Sequence, residues 1–124
     1  MLALISMKNI LLVDDDVDII DLVSSLLTRN NFIAKAITGG THIFEVIKDF
    51  SPHLILLDIS LGTEDGREIC KRIKQAKETR NIPIILFSAH NDLINHIKGY
   101  LSNASLAKPF ATSELLDTIR KYIA

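Results

Sequence analysis

Five side chains carry the chemistry this sequence could do. Asp14 and Asp15 follow the apolar run "ILLV", and Asp58 closes "LILLD". Ser88 ends "IPIILFS", and Lys108 ends "SLAK". Taken singly, each has a structural explanation. An acidic triplet before a helix caps it and suits the positive end of its dipole. Ser88 suits a turn, and Lys108 a lysine whose stem lies along the surface. Asp58 is harder to dismiss, because a carboxylate directly after four apolar residues is costly unless it is paired. The shared placement at the ends of apolar runs argues for one site. Three carboxylates facing one lysine leave an excess of two negative charges. Two carboxylates ~6 Å apart repel by roughly 3 kcal/mol at an effective dielectric of about 20. A small hard dication such as Mg2+ relieves that repulsion and keeps waters or phosphate oxygens in its octahedral shell. A carboxylate in such a place can act as a nucleophile and form an aspartyl phosphate. The dication, the lysine and a hydroxyl would then stabilise the phosphoryl oxygens.

These residues meet only if the chain brings the ends of its apolar runs together. Strands are expected at 8–13, 31–37, 53–58, 82–88 and 105–108. They alternate with helices at 17–30, 41–49, 66–76 and 91–100, and with a last helix after Pro109. Apolar residues such as Val23, Leu26, Leu27, Ile69 and Ile73 recur at helical spacing. Lys35 interrupts the second strand and suits an edge. Continuous apolar strands are buried on both faces, which calls for a parallel sheet covered by helices on each side. Right-handed crossovers make this an α/β, doubly wound, five-stranded parallel sheet, with expected order 2-1-3-4-5. In such sheets, ligands bind beyond the carboxyl ends of the strands, where the order reverses. Strands one and three flank that point.

With 124 residues, 48% hydrophobic and 23% charged, the chain is a globular domain of ordinary size. Residues 1–6 are expected to be an N-terminal tail and 7–124 the domain. The net charge of −1 offers no broad basic surface for nucleic acid. No apolar run approaches the ~20 residues of a membrane span. The lone Cys70 excludes an internal disulfide, suits a cytoplasmic protein, and reads as a half-buried structural thiol. Lys71, Arg72, Lys74, Lys77 and Arg80 read as a solvated face. His42, His53 and His96 show no ligand spacing. Asp14, Asp16 and Asp18 alternate as in a calcium loop, but Ile19 and Ser25 stand where that loop requires Gly and Glu.

The motifs "ILLVDDD", "PHLILLDISLGTEDG", "PIILFSAH" and "LAKPF", in this order, resemble the receiver domain of two-component response regulators, a flavodoxin-like fold. The resemblance covers residues 8–124. It implies Asp58 as phosphoacceptor, taking a phosphoryl group from a histidine kinase or phosphotransfer protein. It implies Mg2+ held by Asp15, by Asp14 through water, by Asp58 and by the backbone carbonyl of Ser60. Ser88 and Lys108 would bind the phosphoryl oxygens, and Lys108–Pro109 would be a cis peptide. His90 and Ser60 stand at positions that tune dephosphorylation. Gly66 is expected at positive φ in the turn into the third helix, and Asp16 as the cap of the first. A receiver of this kind is not a multiple-turnover enzyme, signals to a further protein, and is expected as a monomer or weak dimer.

The sequence departs from the family at four places. Ser105 replaces the aromatic three residues before the lysine, and "LSNAS" replaces the usual Gly-Ala pair. The Ser88–Lys108 interval is short, which trims the fourth helix or its exit, and Gly62 replaces a proline. A receiver-like binding module with weak or absent phosphorylation switching therefore stands as the alternative. "DDDVD" also loosely fits the start of haloacid-dehalogenase phosphatases, but Asp18 stands where that family has Thr or Val.

Overall fold

The computed structural model describes residues 7–89 and 101–123. Its elements run β1 (Lys8–Val13), α1 (Val17–Arg29), β2 (Phe32–Ile37), α2 (Ile43–Phe50) and β3 (Leu54–Asp58). The short strands β4 (Ser60–Leu61) and β5 (Glu64–Asp65) precede α3 (Gly66–Gln75). The chain continues through β6 (Ile84–Ser88), β7 (Ala104–Ala107) and α4 (Thr112–Tyr122). The main sheet has order β2-β1-β3-β6-β7, and every neighbouring pair is parallel. This is the expected doubly wound order. The expected tail at 1–6 and helix at 91–100, with His90 and His96, lie outside the described residues.

Side-chain alternation in the central strands builds two cores, because successive residues of a strand point to opposite faces. Ile10, Leu12, Leu54, Leu56, Ile85 and Phe87 pack with Val23 and Leu27 of α1 and Leu115 and Ile119 of α4. Leu11, Val13, Ile55, Leu57, Ile84 and Leu86 pack with Ile43 and Ile47 of α2 and Ile69 and Ile73 of α3. Burying one such side chain contributes about 1.5–3 kcal/mol. The middles of β1, β3 and β6 are buried on both faces and carry only apolar residues, so their polar residues fall at the strand ends: Lys8 and Asn9 at the start of β1, Asp58 and Ser88 at the carboxyl ends of β3 and β6. Lys35 is exposed on β2, at the sheet edge as expected.

Asp16 caps α1, its Oδ1 accepting from the backbone N–H of Asp18 (2.9 Å) and of Ile19 (3.4 Å). Asp65 caps α3 through the N–H of Arg67 at 2.9 Å. The segment after Asp58, outside every expected element, forms the antiparallel hairpin β4–β5. Three expectations need correction. Gly66 does not take positive φ; the positive-φ glycine among the described residues is Gly62. Gly66 is needed instead for close approach, since a Cβ there would overlap the Asp58 carbonyl and lie 2.7 Å from Ile59 Cα. Cys70 is fully buried, and burial pushes its thiol up to about 11 against the pull of Lys74. Lys74 is not part of a solvated face: it is half-buried and donates to the carbonyls of Ile82 (2.6 Å) and Arg80 (3.3 Å). Among the described residues, no helix is long and apolar enough to cross a membrane.

Candidate functional site

The carboxyl ends of β1, β3, β6 and β7 bring the five singled-out side chains to one edge. The Asp14 N–H donates to the Ile37 carbonyl at 3.1 Å, extending the β1–β2 ladder one residue and pinning the backbone where the acidic triplet begins. Asp14 is fully buried, whereas Asp15 is exposed. Asp58, the last residue of β3, is 5% exposed and sits in register with Phe87 of β6. Ser88 is the next residue of β6 and is fully buried. The Lys108 N–H donates to the Ser88 carbonyl at 2.6 Å, which fixes the lysine's backbone just past β7. The Lys108–Pro109 peptide is cis, as the resemblance implied.

Lys108 Nζ donates to Asp14 Oδ2 at 2.7 Å and to Asp58 Oδ2 at 3.1 Å. Each carboxylate uses its other oxygen locally. Asp14 Oδ1 accepts from the Asp16 N–H at 3.0 Å, and Asp58 Oδ1 accepts from the Ser60 N–H at 3.0 Å. The pair is therefore held by both its charge partner and its own loops. Lys108 Nζ also lies 5.8 Å from the Phe87 ring centroid, and Phe87 packs on Phe110 with centroids 5.0 Å apart. The Phe87 ring, backed by Phe110, lies beside the lysine on its apolar side.

Burial lifts the Asp58 carboxyl above its ordinary value of 3.8, and the charge of Asp14 adds to the lift. The Ser60 N–H and Lys108 oppose this without cancelling it. Burial pulls the Lys108 ammonium down, but its hydrogen bond to Asp14 and the charges of Asp58 and Asp14 together hold it above 10.5. The lysine is thus firmly charged, and a carboxylate is in surplus.

Asp14, Asp15 and Asp58 each offer an oxygen within 4.8 Å of the others. An all-oxygen carboxylate set suits a hard cation such as Mg2+ and not a thiolate- or imidazole-seeking metal. One exposed carboxylate beside two buried ones leaves the cluster open to solvent. The residues present fit the metal. Ser60 begins the hairpin beside Asp58, with its backbone tied to that carboxylate.

A cavity of about 690 Å³ lies at the opposite edge of the sheet, lined by Phe44, Ile47, Pro52, His53, Thr79 and Ile82. The acidic cluster lies at the other edge. Two contacts of the site were missed from sequence. Asp14 bonds Lys108 directly and at shorter range than Asp58 does. Glu64 Oε1 accepts from the Gly40 N–H at 2.9 Å, joining the hairpin to the loop before α2. The "GG" at 39–40 was the visible signal for the second contact; for the first, the shared strand-end placement set Asp14 facing Lys108, and only the direct, shorter bond went unmarked.

Comparison with known proteins agrees with this geometry. The family model for the response regulator receiver domain matches residues 10–120. The DNA-binding dual master transcriptional regulator RpaA of Synechocystis is 33% identical over 116 residues, covering 92% of this chain and 48% of that protein. The transcriptional regulatory protein GltR of Pseudomonas aeruginosa is 32% identical over 115 residues, covering 91% of this chain and 48% of that protein. The chain thus spans about half the length of these curated relatives. The receiver domain of NtrX from Brucella abortus superposes with a TM-score of 0.83 at 27% identity, over 92% of this chain and 97% of that one. The receiver domain of the sensor histidine kinase PA1611 from Pseudomonas aeruginosa, solved with a magnesium ion coordinated in its active-site cleft, shares the fold. Its TM-score is 0.84 at 23% identity, over 95% of this chain and 98% of that one. The matched span, the sheet order and the acidic cluster at the strand ends together place this chain in the family of two-component response regulator receiver domains.

Proposed function

We propose that Asp58 accepts a phosphoryl group in a Mg2+-dependent reaction and that the acyl phosphate so formed signals to a protein partner. The observation that carries this reading is the convergence of Lys108 on Asp14 and Asp58, beside a third carboxylate, at the carboxyl edge of the sheet. The donor is a phosphohistidine on a histidine kinase or phosphotransfer protein. An Asp58 carboxylate oxygen attacks phosphorus, the phosphorus–nitrogen bond breaks, and the imidazole leaves with the electron pair. Asp14, Asp15, Asp58 and the Ser60 carbonyl would hold the metal, which neutralises charge on the phosphoryl oxygens. Lys108, already charged and at hydrogen-bond distance from Asp58, supplies a second positive group to the same oxygens. Ser88, one residue beyond the Asp58 register on β6, donates its hydroxyl to a phosphoryl oxygen.

The phosphoryl group ends on the protein's own side chain, so the chain acts once per phosphorylation and is not a multiple-turnover enzyme. RpaA and GltR are transcriptional regulators, which supports a regulatory output. The net charge of −1 supports a protein target, not nucleic acid, for this domain. A cytoplasmic monomer or weak dimer fits this role. The reading as a binding module without phosphoryl chemistry rests on Ser105 and the short Ser88–Lys108 interval in the sequence. The assembled lysine–carboxylate cluster favours phosphoryl acceptance. Incubation with acetyl phosphate and Mg2+, followed by intact-mass measurement, tests the proposal. The expected result is a mass gain of one phosphoryl group that EDTA and D58N each abolish. Equal labelling of D58N would refute the assignment.

A further inference from the structure

The hairpin that carries Ser60 is too short to hold itself. Strands β4 and β5 have two residues each, pairing Ser60 with Asp65 and Leu61 with Glu64. A two-stranded hairpin of ordinary length is already marginal in water. This one is anchored at both ends. At its base, the Gly66 N–H donates to the Ile59 carbonyl at 2.9 Å, and Gly66 sits against the Asp58 backbone. On its second strand, half-buried Glu64 reaches across to the loop between β2 and α2, where Oε1 accepts from the N–H of buried Gly40 at 2.9 Å. That loop is shaped to admit the carboxylate. A Cβ at Gly39 would lie 2.8 Å from Glu64 Oε1, and one at Gly40 would lie 2.5 Å from Ile69 Cδ1 and 3.2 Å from Glu64 Oε2. The same loop begins directly after Ile37, whose carbonyl receives the Asp14 N–H. Glu64 therefore ties the segment bearing Ser60 to the segment that fixes Asp14.

We infer that Glu64 is a positioning residue for the Mg2+ site, a latch from the β4–β5 hairpin to Gly40 that holds the Ser60 carbonyl in place for the metal. The inference rests on the metal reading proposed above. Outer groups that orient metal ligands commonly control affinity 10–100-fold. The latch acts through an accepted hydrogen bond and needs reach, not charge, which gives it a distinctive pattern among variants. E64Q keeps an oxygen acceptor at the same reach and loses the charge. E64D keeps the charge and, shorter by one methylene, loses the reach. E64A loses both.

The test is titration of the metal-free chain with MgCl2, following backbone amide shifts. Melting temperature and Gly40 amide exchange are measured in parallel. E64A and E64D are expected to raise the Mg2+ dissociation constant about tenfold. E64Q is expected to bind like the parent chain. Gly40 exchange without metal should be fast in E64A and E64D and protected in E64Q. E64Q as weak as E64A would show that charge alone matters and overturn the latch. So would E64A and E64D binding like the parent. If E64A melts too low to titrate, E64D against E64Q decides the matter by the same pattern. Absence of saturable Mg2+ binding in the parent chain would overturn the metal reading itself. Intact parent binding with unchanged variants overturns the latch alone.

Discussion

Neutralising Asp58 should stabilise the metal-free protein. The expectation follows from the surplus carboxylate. At an effective dielectric of about 20, the Lys108–Asp58 contact at 3.1 Å is worth about 5 kcal/mol of attraction. Asp14 lies with an oxygen within 4.8 Å of Asp58, which is about 3 kcal/mol of repulsion on the same scale. The attraction that remains, about 2 kcal/mol, is smaller than the several kcal/mol needed to desolvate a buried carboxylate. The upward displacement of the Asp58 carboxyl, led by burial, has the same sign. A carboxyl whose folded pKa is raised contributes stability that is complete below its unfolded value of 3.8 and is lost as pH rises through the folded value. Asp58 therefore weakens the metal-free fold at neutral pH. D58N should stabilise it by about 1–2 kcal/mol, raising Tm by about 5 °C in EDTA. The advantage should vanish as pH falls to 3.8 and below. Saturating Mg2+ should stabilise the parent chain and not D58N, by about 2.7 kcal/mol at a hundredfold excess over Kd. The assay is calorimetric melting across pH with and without metal. A D58N Tm equal to or below the parent's in EDTA at neutral pH would refute the reasoning.

Further outcomes follow from single contacts. D16A removes the acceptor for the Asp18 and Ile19 N–H groups and should cost about 1 kcal/mol in urea unfolding. Its Mg2+ affinity should be unchanged, because the bond from residue 16 to Asp14 uses a backbone N–H. G66A forces a Cβ onto the Asp58 backbone and should cost about 3 kcal/mol by the same assay. The folded Lys108 pKa lies above 10.5, so its contribution is complete below pH 10.5 and is lost as pH rises through the higher folded value. The stability difference between the parent and K108M should shrink over that alkaline window.

What the sequence disclosed and what it withheld have physical causes. Runs such as "ILLV" and "LILL" admit few alternatives to strands buried on both faces, and from them the sheet order and the shared edge of Asp14, Asp58, Ser88 and Lys108 follow. Asp16 as a cap was legible because capping is local. The hairpin β4–β5 was not, since two-residue strands have no periodicity to detect. Gly66 was visible as a glycine, but sequence does not separate a need for positive φ from a need for close approach, and the close approach to Asp58 proved to be the reason. The direct Asp14–Lys108 bond and the burial of Lys74 depend on side-chain reach across the fold. Neither leaves a pattern in the chain.

The claim that these residues form one phosphoryl-accepting site is tested most directly by a crystal structure with Mg2+ and beryllofluoride. The account predicts beryllofluoride on an Asp58 carboxylate oxygen, contacted by Lys108 Nζ and the Ser88 hydroxyl, with Mg2+ between Asp14, Asp15, Asp58 and the Ser60 carbonyl. Beryllofluoride bound elsewhere, or a metal that leaves Asp58 uncoordinated, would contradict it.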